Sequence, residues 1–338
     1  MFDEPLFFKP IMIERVWGGC NLETLHGKAI PAGKIIGESW EVSDRPEAQS
    51  VVEGGEFDGW TLRQLLEKYP REILGDLPDT VRFPLLVKYV DAGDKLSVQV
   101  HPDDDGATIY NDLGKSECWV VIHAEPGAQI VRGLEPGTTR AMFEQAIKED
   151  RVEELLHYFE PRPGDVIALP PGMVHAIGKG LIVAEVQQNS DVTLRIYDYK
   201  RMGLDGRLRK LHVDEALNAI RFGEPGTEFA GDMFRDTVAP SDLFHGVDGL
   251  EYETLLIGKY FDLHRFTLPA DKVTERGYEI TCGEFPNHSH TARVAMIIAG
   301  SGLINDRPVR AGMTALIPAS AENISACGPM TVLLATPK

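Results

Sequence analysis

Two stretches decide the fold: Gly93-Asp-Lys-Leu-Ser-Val-Gln99-Val-His101 and Gly164-Asp-Val-Ile-Ala-Leu-Pro170-Pro-Gly172-Met-Val-His175. Side chains two apart on a strand share a face, so Gln99 and His101 project together while Val98 and Val100 pack the other way. In the second stretch Gly164 and Asp165 make a turn, Val166 to Leu169 a short apolar strand, and Pro170-Pro171-Gly172 a tight stop that aims His175 inward. Between them Glu117 opens the strand-like run Glu-Cys-Trp-Val-Val-Ile. Two imidazoles, a carboxylate and a side-chain amide thus face one barrel interior as a metal cage. That donor set suits a single Zn2+ per chain with a position left open for chemistry. A lone histidine is as readily a hydrogen-bonded structural residue; their joint occurrence points to a metal centre, and so to an enzyme.

Working outward, most of the chain reads as short strands between Gly, Pro, Asn and Asp, among them Leu85 to Val90, Leu96 to Val100, Trp119 to Ile122 and Leu181 to Gln187. Three helical segments interrupt them. Thr61 to Glu72 opens on a Thr cap, Thr139 to Tyr158 buries Phe143, Ile147 and Leu155-Leu156, and Val213 to Phe222 is shorter. Gly312-Met-Thr-Ala-Leu-Ile-Pro318-Ala-Ser-Ala-Glu-Asn323 aligns without gaps on Gly164 to His175, with Asn323 where His175 stands. The pattern predicts a mainly β chain of two related barrels. Residues 1–240 form the catalytic barrel, with helical insertions at about 60–72 and 139–158, and residues 241–338 a degenerate second one lacking a full ligand set. His288-Ser-His290 resembles a ligand pair, but the strand Val294 to Ile298 that follows brings no Glu, so it reads as a surface or vestigial feature. Asp103-Asp104-Asp105 reads as a solvated turn.

The chain has 338 residues, 43% of them hydrophobic, enough for a large core, and a formal net charge of -18. That charge argues against a nucleic-acid partner, since phosphate backbones bind basic surfaces. It permits a small anion, because a few cations in a cleft set a local potential of their own. The candidates are Lys88, Lys95, Lys115, Arg195, Lys200 and Arg201. Arg195 lies in the apolar run Val192 to Tyr197, where a guanidinium calls for an anionic partner. No apolar run approaches the roughly 20 residues needed to span a bilayer, and the first residues lack a signal-peptide pattern. Cys20, Cys118, Cys282 and Cys327 are far apart with no CxxC spacing, which suits a reducing compartment and no disulfide framework. These features predict a cytoplasmic protein without a membrane partner. They leave its oligomeric state open.

Gly-(five residues)-Pro-x-Gly-x-x-His is similar to the second signature of the cupin superfamily, and Gly-(five residues)-Gln-x-His resembles the first, with Gln in place of its leading His. Tyr89 to Asp103, Gly114-Lys-Ser-Glu117, Ser190-Asp-Val-Thr-Leu-Arg195, Arg15-Val-Trp-Gly18 and Gly37-Glu-Ser-Trp-Glu41 resemble the type I mannose-6-phosphate isomerases in their compact bacterial form. One departure is Arg195-Ile196-Tyr197, where that family often has Arg-Ala-Gly or Arg-Gly-Gly.

The resemblance implies a double cupin, two jelly-roll β-barrels, interconverting mannose 6-phosphate and fructose 6-phosphate with one zinc held by Gln99, His101, Glu117 and His175. It implies Arg195, Lys115, Glu185 and Asp191 as active-site residues, with Lys88 as a secondary substrate contact. Moving a carbonyl between C1 and C2 requires taking a carbon-bound proton and stabilising an enediolate. Glu185, Asp191 and Lys115 are all compatible in type with the proton transfer. Structural readings stand beside these roles: Glu185 as a paired acid, Asp191 as a turn residue, Lys88 as an edge residue with a packed stem. Two other functions fit a cupin: an Fe-dependent dioxygenase, which Gln99 and the basic residues disfavour, and a non-catalytic sugar-binding module.

Overall fold

The computed structural model describes residues 2–77, 82–223, 251–268, 272–274, 277–279, 282–286, 290–321 and 323–338. Its elements are mainly strands, joined into antiparallel sheets. One barrel is built from two of them. A six-stranded sheet places Glu117–Ala124, Leu181–Gln188, Leu85–Ala92 and Ile36–Val42 side by side between the outer strands Val166–Leu169 and Ile11–Gly19. A five-stranded sheet runs Leu156–Phe159, Ile130–Leu134, His175–Ile177, Val98–Val100, Leu194–Tyr197.

Strand alternation sorts the side chains. In the six-stranded sheet Lys88, Glu185, Glu117 and Trp119 turn one way, while Leu85, Val87, Tyr89, Cys118, Val120, Ala184 and Val186 turn the other. The latter set joins a buried cluster with Leu263, Val294, Met296, Leu316, Leu333 and Ala335 from the C-terminal sheet. The two sheets therefore share one core back to back. Val98 and Val100 pack outward under the helices Arg140–Lys148 and Val213–Ala219, with Phe143, Ala216 and Leu217. Gln99 is thereby left facing inward.

The C-terminal sheet is nine-stranded, with Arg293–Ile304 and Met330–Pro337 at its centre. The strand Leu6–Phe7 pairs with Ala315 and Leu316, so the chain's first strand lies in the second barrel's sheet. The internal repeat is three-dimensional. Gly164 and Gly312 both turn at positive φ, 96° and 88°, ahead of the matching strands Val166–Leu169 and Thr314–Ile317. His175 and Asn323 open the next strand in each copy.

Three helix expectations need correction. Thr61 caps Leu62–Lys68 through a capping box with Gln64, but Pro70 starts a separate helix, Pro70–Leu74, because its ring cannot continue the first. The long helix expected over 139–158 ends at Lys148. Asp150 takes φ 58°, a 3-10 turn Val152–Leu155 follows, and Leu156–Phe159 becomes an edge strand beside Ile130–Leu134. Sheet pairing overrides helical spacing there. Likewise Val213–Ala219 stops before Ile220, which is extended. The cysteine reading also changes: Cys20 and Cys118 are free, but Cys327 is disulfide-bonded and lies opposite Cys282 in its strand pairing. Antiparallel pairing brings together residues that sequence spacing keeps apart. No described helix is long and apolar enough to cross a membrane.

Candidate active site

The site begins with register. His175 pairs with Gln99 across the five-stranded sheet, Gln99 pairs in turn with Arg195, and residues directly opposite share a face. Glu117 comes from the facing sheet, and His101 follows the end of its strand. His101, Glu117 and His175 are each at most 2% exposed.

Their donor atoms converge. His101 Nε2 lies 3.1 Å from His175 Nε2, Glu117 Oε2 is 3.4 Å from His101 Nε2, and Glu117 Oε1 is 3.3 Å from His175 Nε2. Ligands about 2.0–2.1 Å from a tetrahedral ion stand about 3.3 Å apart, so the spacing is that of a metal's coordination edges. Tautomers agree: His101 Nδ1 donates to Val192 O at 2.9 Å and His175 Nδ1 to Met173 O at 2.9 Å. A carbonyl can only accept, so each neutral ring turns an Nε2 lone pair toward the other. Burial first, then Lys115, pushes His101 down to about 3, and burial lowers His175 as well, which keeps both rings neutral as ligands. Both Glu117 oxygens are buried and accept no aligned hydrogen bond. Burial opposes its charge, but Lys115 and the two histidines hold its carboxyl well below the usual range. These acceptors, without an aligned hydrogen bond and with Lys115 beside Oε2 alone, and the facing lone pairs fit a divalent cation. Gln99 Nε2 stands 3.3 Å from His175 Nε2, and turning its amide over presents Oε1 as a fourth donor. Among the described residues, His101, Glu117 and His175 are the one group of His, Cys, Asp and Glu side chains placed to hold a metal.

A buried chain of charge adjoins the cage. Lys115 Nζ lies 3.0 Å from His101 Nε2 and 3.1 Å from Glu117 Oε2. Lys88, 5% exposed, stands between Glu185 at 3.4 Å and Glu38 at 3.8 Å. Glu38 also receives Arg15 Nε at 2.8 Å and Trp40 Nε1 at 2.7 Å. Burial raises the Glu38 carboxyl, but Lys88 and Arg15 outweigh it and bring it to about 2. The Glu185 carboxyl goes the other way, up to about 8, because burial and the nearby Glu117 charge outweigh Lys88. Lys88 is therefore an inward-facing, doubly paired lysine rather than an edge residue.

The other residues singled out in the sequence divide. Arg195 is half-buried opposite Gln99, with Arg201 near it. Asp191 is exposed at the rim, its backbone N–H donating to Asp112 at 3.4 Å. Lys95 and Lys200 pair with Glu153 and Asp150 at the surface, away from the cage. Asp103 caps the short helix Asp104–Ala107 through Gly106 N, while Asp104 accepts from Tyr260. His290 is exposed, and His288 lies outside the described residues. Sequence reading gave no role to Glu38 or Asp198.

The family profile described as "Phosphomannose isomerase type I, catalytic domain" matches residues 6–117, which include Gln99, His101 and Glu117. Mannose-6-phosphate isomerase ManA of Bacillus subtilis is 44% identical over 222 residues, covering 65% of this chain and 69% of its own. Probable mannose-6-phosphate isomerase GmuF of the same organism is 36% identical over 321 residues, 93% of each chain. The chain belongs to the type I phosphomannose isomerase family. A crystal structure of the mannose 6-phosphate isomerase from Bacillus subtilis superposes with a TM-score of 0.84 at 31% identity, covering 98% of this chain and 99% of that one. Membership accounts for both barrels, since the similarity runs through the C-terminal sheet as well as the cage.

Proposed function

We propose that the chain is a zinc-dependent aldose-ketose isomerase that interconverts mannose 6-phosphate and fructose 6-phosphate through an enediolate. The observation that carries this is the convergence of His101, Glu117 and His175, with Gln99 beside them, against a buried lysine-carboxylate chain. Zinc is favoured by a buried two-imidazole, one-carboxylate set with an amide as fourth donor. When bound, the ion supplies a Lewis acid for the oxygens on C1 and C2.

The protein's own groups do the rest. The C2 proton of the aldose must leave and return at C1, on a carrier that reaches both carbons. Lys115 offers the protonatable atom closest to the cage. Glu185, with its carboxyl near 8, is a second group able to hold a proton at neutral pH. Lys88 and Arg15 balance the Glu38 charge and Lys88 also touches Glu185, so the barrel interior tolerates this buried charge without a substrate. Arg195, on the same face as Gln99, offers planar donors toward the negative charge of the bound sugar. The domain reading follows: residues 1–240 carry the chemistry, and residues 241–338 supply cover.

The test is a coupled assay on protein of known metal content. Mannose 6-phosphate turnover should vanish on chelation and return with stoichiometric zinc; unchanged turnover in metal-free protein overturns the proposal.

A further inference from the structure

We propose that Arg195, Arg201 and Arg209, gathered around the single buried carboxylate of Asp198, form the subsite that binds the phosphate monoester of the substrate. This rests on the sugar-phosphate reading above and adds the residues that select the phosphate.

The geometry starts at Asp198, 3% exposed, which closes the strand Leu194–Tyr197. Arg201 Nη2 donates to it at 2.5 Å and Arg209 Nη1 at 3.1 and 3.2 Å. Arg201 and Arg209 lie on the two arms of one hairpin, where Met202 bridges Leu208 and Gly203 N donates to Arg207 O at 2.7 Å. The turn into it holds Tyr199 and Lys200 at φ 54° and 55°, a conformation L residues avoid unless surrounding contacts enforce it. Arg201 Nη1 is anchored on Lys95 O at 2.6 Å, and Arg195 Nη1 on Lys210 O at 2.9 Å, next to Arg209.

Arg201 and Arg209 bond the Asp198 carboxylate and Arg195 lies within its field, while the exposed Asp94 reaches Arg201 only at 3.4 Å, so three guanidiniums meet one buried carboxylate and the cluster is short of negative charge. The Nε donors of both Arg195 and Arg201 are buried without a hydrogen-bond partner. A carboxylate has two oxygens, whereas a phosphate monoester brings three and nearly two charges, matching planar forked donors. Arg195 opposes Gln99 in register, so its Cα lies about 5 Å from that of a cage residue. A six-carbon sugar with C1 and C2 at the cage then has its far end at the arginines.

The experiment titrates inorganic phosphate by calorimetry into the full chain, with metal loaded and with metal removed, and pairs this with kinetics on mannose 6-phosphate. Arg209→Gln should weaken phosphate about tenfold or more in both metal states and raise KM similarly with kcat changed less. Arg209→Lys, which keeps the charge, should fall between, and Arg207→Gln, an exposed neighbour on the hairpin, should match the unaltered chain. Should Arg209→Gln melt early, the Arg209→Lys and Arg207→Gln pair decides alone. Phosphate affinity equal in Arg209→Lys and Arg207→Gln overturns the subsite, as does phosphate binding that disappears on metal removal. An unaltered chain that binds phosphate through Arg209 but does not isomerise mannose 6-phosphate retains the subsite and refutes the functional reading instead.

Discussion

The two barrels carry the same turn and strand pattern, yet one is built to hold a cation from outside and the other holds its own. In the first, Glu117 pairs with Leu169, the last residue of Val166–Leu169. In the second, the residue paired with Ile317, at the equivalent place in Thr314–Ile317, is Arg293. Where the first barrel has a buried anion the second has a guanidinium, 2% exposed, and Asn323 replaces His175. The carbonyls correspond too: Met173 O accepts His175 Nδ1, and Ala321, two residues before Asn323, accepts Arg293 Nη2 at 2.8 Å. Burial lowers Arg293 to about 10. The same place in the repeat thus holds a cage ligand in one copy and, beside the apolar cluster of Ala295, Ile297 and Ile317, a guanidinium of the chain's own in the other.

The comparison is broken most severely by removing its metal side. His101→Ala or His175→Ala should lose both the metal and turnover, since three remaining donors bind zinc far more weakly. Metal analysis beside the coupled assay checks both at once. Separating the barrels should be nearly as drastic. Residues 1 to about 240 expressed alone expose Leu85, Val87, Tyr89 and Val120 to water, and a poorly soluble product is expected. A soluble, fully active fragment would show the barrels to be independent.

Arg195→Lys keeps the charge but loses the planar fork. The zinc should stay, while kcat/KM falls on the order of a hundredfold. Thermal melts alongside the assay separate this from a structural role, for which an early melt is the expected sign. In the second barrel, Arg293→Ala should cost about 2–4 kcal/mol of stability, as truncation of a fully buried side chain does, with metal content unchanged. Denaturant unfolding and metal analysis read the two separately. The smallest effect is expected from Asn323→Ala, with metal content near that of the unaltered chain.

What was legible in the sequence was what strand periodicity and turn chemistry determine locally. Gln99 and His101 share a face because they are two apart, and Pro170-Pro171-Gly172 returns the chain so that His175 meets them. The repeat could be read as far as Asn323, because it keeps its glycine and proline. Arg293 was missed, since its equivalence to Glu117 exists only through strand register. The same holds for Asp198, which gathers Arg201 and Arg209 from opposite arms of a hairpin. The expected helix over 139–158 failed because Asp150 turns left-handed and Leu156–Phe159 finds a sheet edge, neither of which local spacing specifies. The disulfide at Cys327 was likewise set by pairing and not by spacing.

The most direct test of the difference between the barrels is the metal stoichiometry of the intact chain, measured by native mass spectrometry on protein purified without added metal. The account predicts one zinc per chain, retained in Asn323→Ala and Arg293→Ala and absent in Glu117→Ala. Full zinc occupancy in Glu117→Ala, or loss of the ion in Asn323→Ala, would contradict it.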